Sequence, residues 1–218
     1  MYLPVIKICG ITNLKDARLA KKYGANIIGF IFAESKRKIE LKDAIEITGK
    51  LKNIYKAGVF VSEKPKKINA LINKLNLDFV QLCGNERIKD IKLIKNAKVI
   101  KAVRVKDKRM LIKYIKKYDK YVYAFLLDNY EKGIYGGTGK KFNWNLINVV
   151  KKFNKPYFVA GGLNPKNIGE LIINYSPYGI DVSSGIEEKP GKKSSAKIEA
   201  LFKNINNAIK FLKRSKNN

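Results

Sequence analysis

Short apolar runs and amphipathic stretches alternate along this chain from one end to the other. Residues 5–11 read as a strand, and 14–23 as a helix with Leu14, Ala17, Leu19, Ala20 and Tyr23 along one side, stopped by Gly24. Residues 27–32 are continuously apolar yet too short for a helix, which suits a strand buried on both faces; 35–38 is loop and 41–51 helix. Strand 57–61 precedes a helix over 65–75, opened by Pro65 in its first turn. Strand 79–82 ends in Cys83-Gly84 and precedes a helix over 86–95; strand 99–105 precedes a helix to 118 with Asp107 as its cap. Strand 121–127 is closed by Asp128, then a glycine-bearing loop, 129–142, leads to a helix over 144–153. Strand 157–160 runs into Gly161-Gly162, and Asn164-Pro165 caps a helix reaching 175. Strand 179–182 runs into Ser183-Ser184-Gly185, and the last helix, 194–213, sets Ile198, Leu201, Phe202, Ile205, Ala208, Ile209 and Leu212 at helical spacing.

These are eight strand–helix units with nothing left over. They predict an α/β fold, a closed (β/α)8 barrel of eight parallel strands, as one domain over residues 1–218. The competing architecture, an open doubly wound sheet, carries a Gly-x-Gly-x-x-Gly turn after its first strand. Here that turn is Cys9-Gly10-Ile11-Thr12, so the barrel is favoured.

Composition narrows the function classes. Hydrophobic residues make up 45% of the 218, enough for a substantial core. No apolar run approaches the length of a membrane span, and residues 1–10 lack the features of a signal peptide, so the expected compartment is the cytoplasm. The two cysteines, Cys9 and Cys83, lie far apart at the ends of strand-like runs, so no disulfide framework is expected. Histidine is absent, which removes the commonest general base, the usual serine-hydrolase triad and the usual zinc ligands. Acid–base work then falls to Cys, Asp, Glu, Lys or Tyr. The formal net charge of +28 fits either a nucleic-acid footprint or a lysine-rich surface on an enzyme with an anionic substrate. The lysines are spread along the chain, the clusters Lys36-Arg37-Lys38 and Lys192-Lys193 fall in loops, and no aromatic residues interleave with them as in a nucleic-acid module. Nucleic acid is therefore expected to associate only nonspecifically, and no membrane partner is expected.

In a barrel the carboxyl ends of the strands share one mouth. Cys9, Cys83, Arg104, Asp128, Gly161-Gly162 and Ser183-Ser184-Gly185 meet there, with Arg37 on the loop after the second strand. Each has a bland reading: Cys9 as a small core residue, Asp128 in an Asx turn, the glycines as tight turns. Together they favour chemistry. Glycine-rich turns after strands seven and eight offer main-chain N–H groups to a phosphate monoester, and Gly136-Gly137-Thr138-Gly139 could close over it. A thiolate at Cys9 and a protonated carboxyl at Asp128, facing one small sugar, describe proton-transfer isomerisation with no metal and no nucleotide cofactor.

Several motifs run through the whole chain: Lys-Ile-Cys-Gly-Ile-Thr at 7–12, a loose Phe-x-x-x-Ser-x-Arg at 31–37, and Val-Gln-Leu-x-Gly at 80–84. Leu-Leu-Asp at 126–128, Gly-Gly-Thr-Gly-Lys at 136–140 and Phe-x-Trp at 142–144 follow. Ala-Gly-Gly-Leu-Asn-Pro at 160–165, Asp-Val-Ser-Ser-Gly-Ile-Glu at 181–187 and Pro-Gly-x-Lys at 190–193 complete the set. In this order they resemble the phosphoribosylanthranilate isomerase family of tryptophan biosynthesis. The resemblance implies an Amadori rearrangement of N-(5-phosphoribosyl)anthranilate to 1-(2-carboxyphenylamino)-1-deoxyribulose 5-phosphate, without a cofactor. By that resemblance Asp128 is the general acid, protonating the ribose ring oxygen so that the ring opens to a protonated imine. Cys9 is the general base, taking the C2 proton to give an enolamine that relaxes to the ketone. Arg37 matches the anthranilate end, where a guanidinium suits a carboxylate. Gly162, Ser184 and Gly185 would hold phosphate through their backbones, with Cys83, Gly137, Gly161, Asp181 and Ser183 as further substrate contacts. The implied partner is a small anionic phosphosugar, and the assembly a monomer or a homodimer.

Two positions depart from the family pattern. Cys83 stands where the family commonly has histidine after Val-Gln-Leu, which puts that group's part in substrate orientation in doubt. Phe142-Asn143-Trp144 replaces Phe-Asp-Trp, keeping a helix cap while losing a charge. Rival readings are another phosphosugar barrel, which is expected to use paired aspartates or a catalytic lysine, and a noncatalytic basic barrel that keeps only the phosphate site.

Overall fold

The computed structural model describes residues 3–129 and 142–215. Its elements begin with β1 (Val5–Cys9), α1 (Leu14–Tyr23), β2 (Ile27–Ile31), α2 (Leu41–Lys50), β3 (Tyr55–Phe60) and α3 (Pro65–Leu75). They continue with β4 (Phe79–Leu82), α4 (Ile88–Ile91), β5 (Lys98–Val105), α5 (Lys108–Tyr118) and β6 (Ala124–Asn129). After these come α6 (Ile147–Val150), β7 (Tyr157–Val159), α7 (Ile168–Tyr175), β8 (Gly179–Val182), β9 (Glu187–Lys189), β10 (Lys192–Lys193) and α8 (Ser195–Arg214). Strands β1 to β8 form a closed barrel in sequence order, each pairing parallel to its neighbours. The seam pairs β1 with β8, Val5 opposite Gly179 and Lys7 opposite Asp181.

Local sequence accounts for much of this. Asn13 caps α1 by accepting from the Asp16 N–H at 2.8 Å, and Gly24 ends it in the left-handed region at φ 107°. Asp107 caps α5 through the Met110 N–H. Alternation along the strands divides the core in two. Outward residues such as Ile6, Ile8, Ile28, Phe30 and Val103 pack under the helices. Inward residues Ile27, Ala57, Phe79, Ile100, Ala102, Ala124, Leu126, Phe158 and Ala160 fill the lumen. Toward the carboxyl end the lumen turns polar, with Lys7, Gln81 and Asp181 all buried.

The strand expected over 121–127 starts later, after a 3₁₀ turn, and runs on through Asp128 as β6, and three other stretches differ more. The helix expected over 86–95 shrinks to the single turn of α4. Glu86 is drawn into the preceding loop, where its carboxylate accepts from the Ser62 and Gly84 N–H groups. At the other end Asn69 bonds the Leu93 carbonyl and the Lys95 N–H, diverting the chain from helix. The helix expected over 144–153 is broken into 3₁₀, α and 3₁₀ turns around β-branched Ile147, Val149 and Val150. The stretch from Ser183 to α8 is not plain loop: β9 and β10 form an antiparallel pair turned at Pro190-Gly191, with Gly191 at φ 80°. The expectation that Lys192-Lys193 sit in a solvated loop is therefore corrected, since Lys193 is 3% exposed. The expected closing segment Gly136–Gly139, with Gly137, lies outside the described residues.

Lys101 shows what a buried cation does elsewhere in this fold. It faces outward from β5, donates to the Leu82 and Gly84 carbonyls at 3.1 and 2.8 Å, and pairs with Glu86 at 3.0 Å. Lys101→Met would leave that buried carboxylate without its cation. The expected cost is about 3–5 kcal/mol, read as a lower urea midpoint at unchanged slope.

Candidate active site

At the carboxyl end of the barrel a cavity of about 780 Å³ is lined by Cys9, Arg37, Gln81, Cys83, Asp128, Gly161, Gly162, Asp181, Ser183 and Ser184. Nine of the site residues expected from the sequence share that lining with the unforeseen Gln81. Gly185 is not among the lining residues; it supports the wall from behind. A depression of about 820 Å³ opens at the opposite end, around Tyr55, Phe79, Tyr123 and Tyr178. Size alone would not choose between the two. The convergent titratable groups do.

Cys9 ends β1, and the chain leaves it through Gly10 at φ 72°. A side chain at Gly10 would collide with the Arg37 stem and approach the Ser183 hydroxyl, so the glycine lets three elements close on the thiol. Burial pushes the Cys9 thiol above its ordinary pKa; Lys7 opposes this, Asp181 reinforces it, and Lys193 opposes it weakly. Lys193 reaches the Cys9 carbonyl at 2.6 Å and the Glu187 carboxylate at 2.8 Å. Burial, only partly offset by Glu187, lowers the pKa of Lys193.

Across the mouth, Asp128 sits in β6, one pleat above Leu126, with Arg104 of β5 opposite in register. Its Oδ1 accepts from the Asn129 N–H at 2.8 Å. Burial pushes its pKa up to about 6, against the Asn129 N–H and Arg104, with Asp181 adding to the rise. Asp128 thus holds a proton far more readily than a surface aspartate. Cys83 differs from Cys9. Burial takes its thiol to about 12 despite a 3.4 Å hydrogen bond from Gln81 Nε2, so it stays protonated and is no rival base.

The glycine turns form one wall. Gly161 and Gly162 both take left-handed conformations, φ 82° and 63°, which a side chain would strain. The Gly162 carbonyl is held by Asn164 Nδ2 at 3.1 Å and Asn167 Nδ2 at 2.8 Å. Ser184 to Ile186 form a 3₁₀ turn, and a Cβ on Gly185 would fall on the Leu163 carbonyl oxygen, so the two turns touch through bare backbone. Among the described residues the buried Ser183 hydroxyl and the Gln81 side-chain carbonyl oxygen find no hydrogen-bond partner, two polar atoms held at the cavity wall.

Arg37 already grips a carboxylate. Its Nε reaches both Glu187 oxygens at 3.0 and 2.9 Å, and Nη2 reaches Oε2 at 2.9 Å. Burial raises the Glu187 pKa less than Arg37 and Lys193 lower it, so it stays ionised. Glu187, Lys193 and Lys7 were not singled out from the sequence. Lys7 had a legible signal: a charge at the inward phase of the apolar run Val5–Ile8, matched by Asp181 in the run 179–182.

A family model for N-(5'-phosphoribosyl)anthranilate (PRA) isomerase matches residues 6–204. The chain belongs to this family. It is 43% identical over 200 residues to the N-(5'-phosphoribosyl)anthranilate isomerase of Geotalea uraniireducens, covering 91% of this chain and 96% of that one. A crystal structure of phosphoribosyl anthranilate isomerase in complex with reduced 1-(o-carboxyphenylamino)-1-deoxyribulose 5-phosphate superposes with a TM-score of 0.83. It is 36% identical, with 94% of this chain and 100% of that one covered. Monomers made from the dimeric Thermotoga maritima enzyme match with the same score, identity and coverage. Cys83, kept protonated by burial, offers its neighbours in the mouth a weak thiol donor. Among the described residues no helix is long and apolar enough to cross a membrane.

Proposed function

We propose that this chain converts N-(5'-phosphoribosyl)anthranilate to 1-(2-carboxyphenylamino)-1-deoxyribulose 5-phosphate in tryptophan biosynthesis, with Asp128 as general acid and Cys9 as general base. The reading rests above all on one observation: Cys9 and Asp128 line a single cavity whose wall is the pair of touching glycine turns. Main-chain N–H groups of Gly162, Ser184 and Gly185 bind the phosphate, and this fixes the sugar between the two side chains. Asp128 gives its proton to the ring oxygen as the C1–O bond breaks, and the anilino nitrogen becomes an iminium. Cys9 thiolate then takes the C2 proton; the C2–H electron pair forms the enolamine and quenches the iminium. The enol relaxes to the C2 ketone and a proton returns to C1.

Arg37 holds the anthranilate carboxylate, its plane set by Glu187. Asp181, Ser183, Gly161 and Cys83 complete the substrate contacts. The acid has a lower pKa than the base, so the active pair is a minority form whose fraction is flat between about 6 and the Cys9 pKa. The 218 residues act as one domain, alone or as a homodimer.

Purified protein is expected to turn over phosphoribosylanthranilate with Michaelis kinetics, undiminished by a chelator. Binding of inorganic phosphate or reduced product analogue without turnover would instead favour the noncatalytic phosphate-binding barrel.

A further inference from the structure

Lys7 is a buried cation that the mechanism above leaves unused. It points into the lumen one pleat below Cys9, its side chain 0% exposed, with Nζ 2.9 Å from Asp181 Oδ1. Its ammonium also lies beside the Cys9 sulfur, near enough for the two charges to act on each other. Burial works against its charge, yet Asp181 and Cys9 together hold its pKa above the ordinary lysine value.

Gly29 explains how the two groups meet. It lies opposite Cys9 in the β1–β2 register. A Cβ there would stand 2.9 Å from Cys9 Sγ and 3.0 Å from Lys7 Nζ, so thiol and ammonium share the space that a side chain would fill. Barrel lumens are ordinarily packed with branched apolar residues, and a buried ion pair adds little net stability. A purely structural plug is thus a poor account of a cation that ends beside the sulfur.

We propose that Lys7 is a positioning residue whose ammonium favours the Cys9 thiolate against the burial that opposes it, with Asp181 anchoring the ammonium and Gly29 leaving room for ammonium and sulfur side by side. The inference rests on Cys9 being the general base. The other charged and titratable groups near the sulfur do not replace Lys7. Asp181 of β8 opposes the thiolate; Lys193 of β10 is spent on the Cys9 carbonyl and on Glu187; Arg37 is paired with Glu187; Cys83 of β4 is a neutral thiol.

Thiolate absorbance titrates Cys9 directly in a Cys83→Ser background. Removing both charges with Lys7→Met and Asp181→Asn leaves no bare buried carboxylate, and is expected to raise the Cys9 pKa by at least about one unit. Asp181→Asn alone is expected to lower it, because the anion goes and the ammonium stays. Gly29→Ala keeps both charges but pushes them apart, and is expected to raise the pKa by roughly half a unit or more. In the double variant the Cys9 limb of the pH profile of kcat/KM should move by the same amount as the titrated pKa.

A merely structural Lys7 would give shifts of one sign in both Asp181→Asn and the double variant, or none. Either result overturns the proposal. If the double variant does not fold, an unchanged Cys9 pKa in both Asp181→Asn and Gly29→Ala overturns it equally. Retained turnover in Cys9→Ser would defeat the general-base reading alone and leave the titration to be judged by itself.

Discussion

Asp128→Asn is expected to cut kcat by at least about a hundredfold and, in the same protein, to raise stability at pH 8. The amide keeps the shape and the acceptor for the Asn129 N–H, but has no proton to give the ring oxygen. Stability moves the other way because burial lifts the Asp128 pKa to about 6, above its value of roughly 3.9 in an unfolded chain. A group with a raised folded pKa supports the native state while protonated. That support is full below about pH 4 and is lost as pH rises through about 6. The loss is at most about 2 kcal/mol, since the carboxyl is only partly out of water. Asparagine does not titrate, so the gap between variant and parent should grow from near zero at pH 4 to about 1–2 kcal/mol at pH 8, read from urea midpoints. A gap equal at both pH values would show that Asp128 ionises normally. Cys9→Ser should lose turnover to a similar degree, about a hundredfold or more, since a hydroxyl cannot hold the negative charge. Activity retained in both variants would end the assignment of roles.

Gly185→Ala is expected to raise KM roughly a hundredfold while changing kcat much less. The new methyl would fall on the Leu163 carbonyl oxygen and stand 2.8 Å from Asn164 Cβ, so backbone must move. The turns after β7 and β8 would part, and the phosphate would lose about two charge-assisted hydrogen bonds, each worth roughly 1.5–3 kcal/mol. Weaker inhibition by inorganic phosphate, in the same proportion as KM, would locate the damage in the anion pocket. Gly49→Ala is the control. It lies in α2 with nothing near its Cβ position, and should leave KM alone and stabilise the helix by up to about 1 kcal/mol. An equal rise in KM from both substitutions would sink the account.

The order and number of barrel strands were legible because each is a short apolar run, and most end in a polar or glycine residue. Cys9 and Asp128 stood out for the same reason. Boundaries fared less well where side chains took over backbone hydrogen bonds. Glu86 and Asn69 cut α4 down from both ends, and periodicity carries no trace of either contact. The β9–β10 hairpin was hidden because Glu187-Glu188-Lys189 and Lys192-Lys193 show no apolar alternation. Its Pro190-Gly191 turn was the available clue. Lys7 and Lys193 were hidden by company: among 46 basic residues a buried lysine looks like any other until register sets it beside a carboxylate.

The seam between the first and last strands has a consequence for biosynthesis. Cys9 emerges among the first residues made, but the groups that complete its surroundings, Asp181, Glu187 and Lys193, lie more than 170 positions later. A nascent chain therefore carries this thiol through nearly the whole of translation before the vessel around it can shut. Contacts so distant in sequence form late and slowly, because the intervening chain must be ordered first. Until then the sulfur lies more open to oxidants and electrophiles than in the finished barrel, where it is buried against the cavity wall.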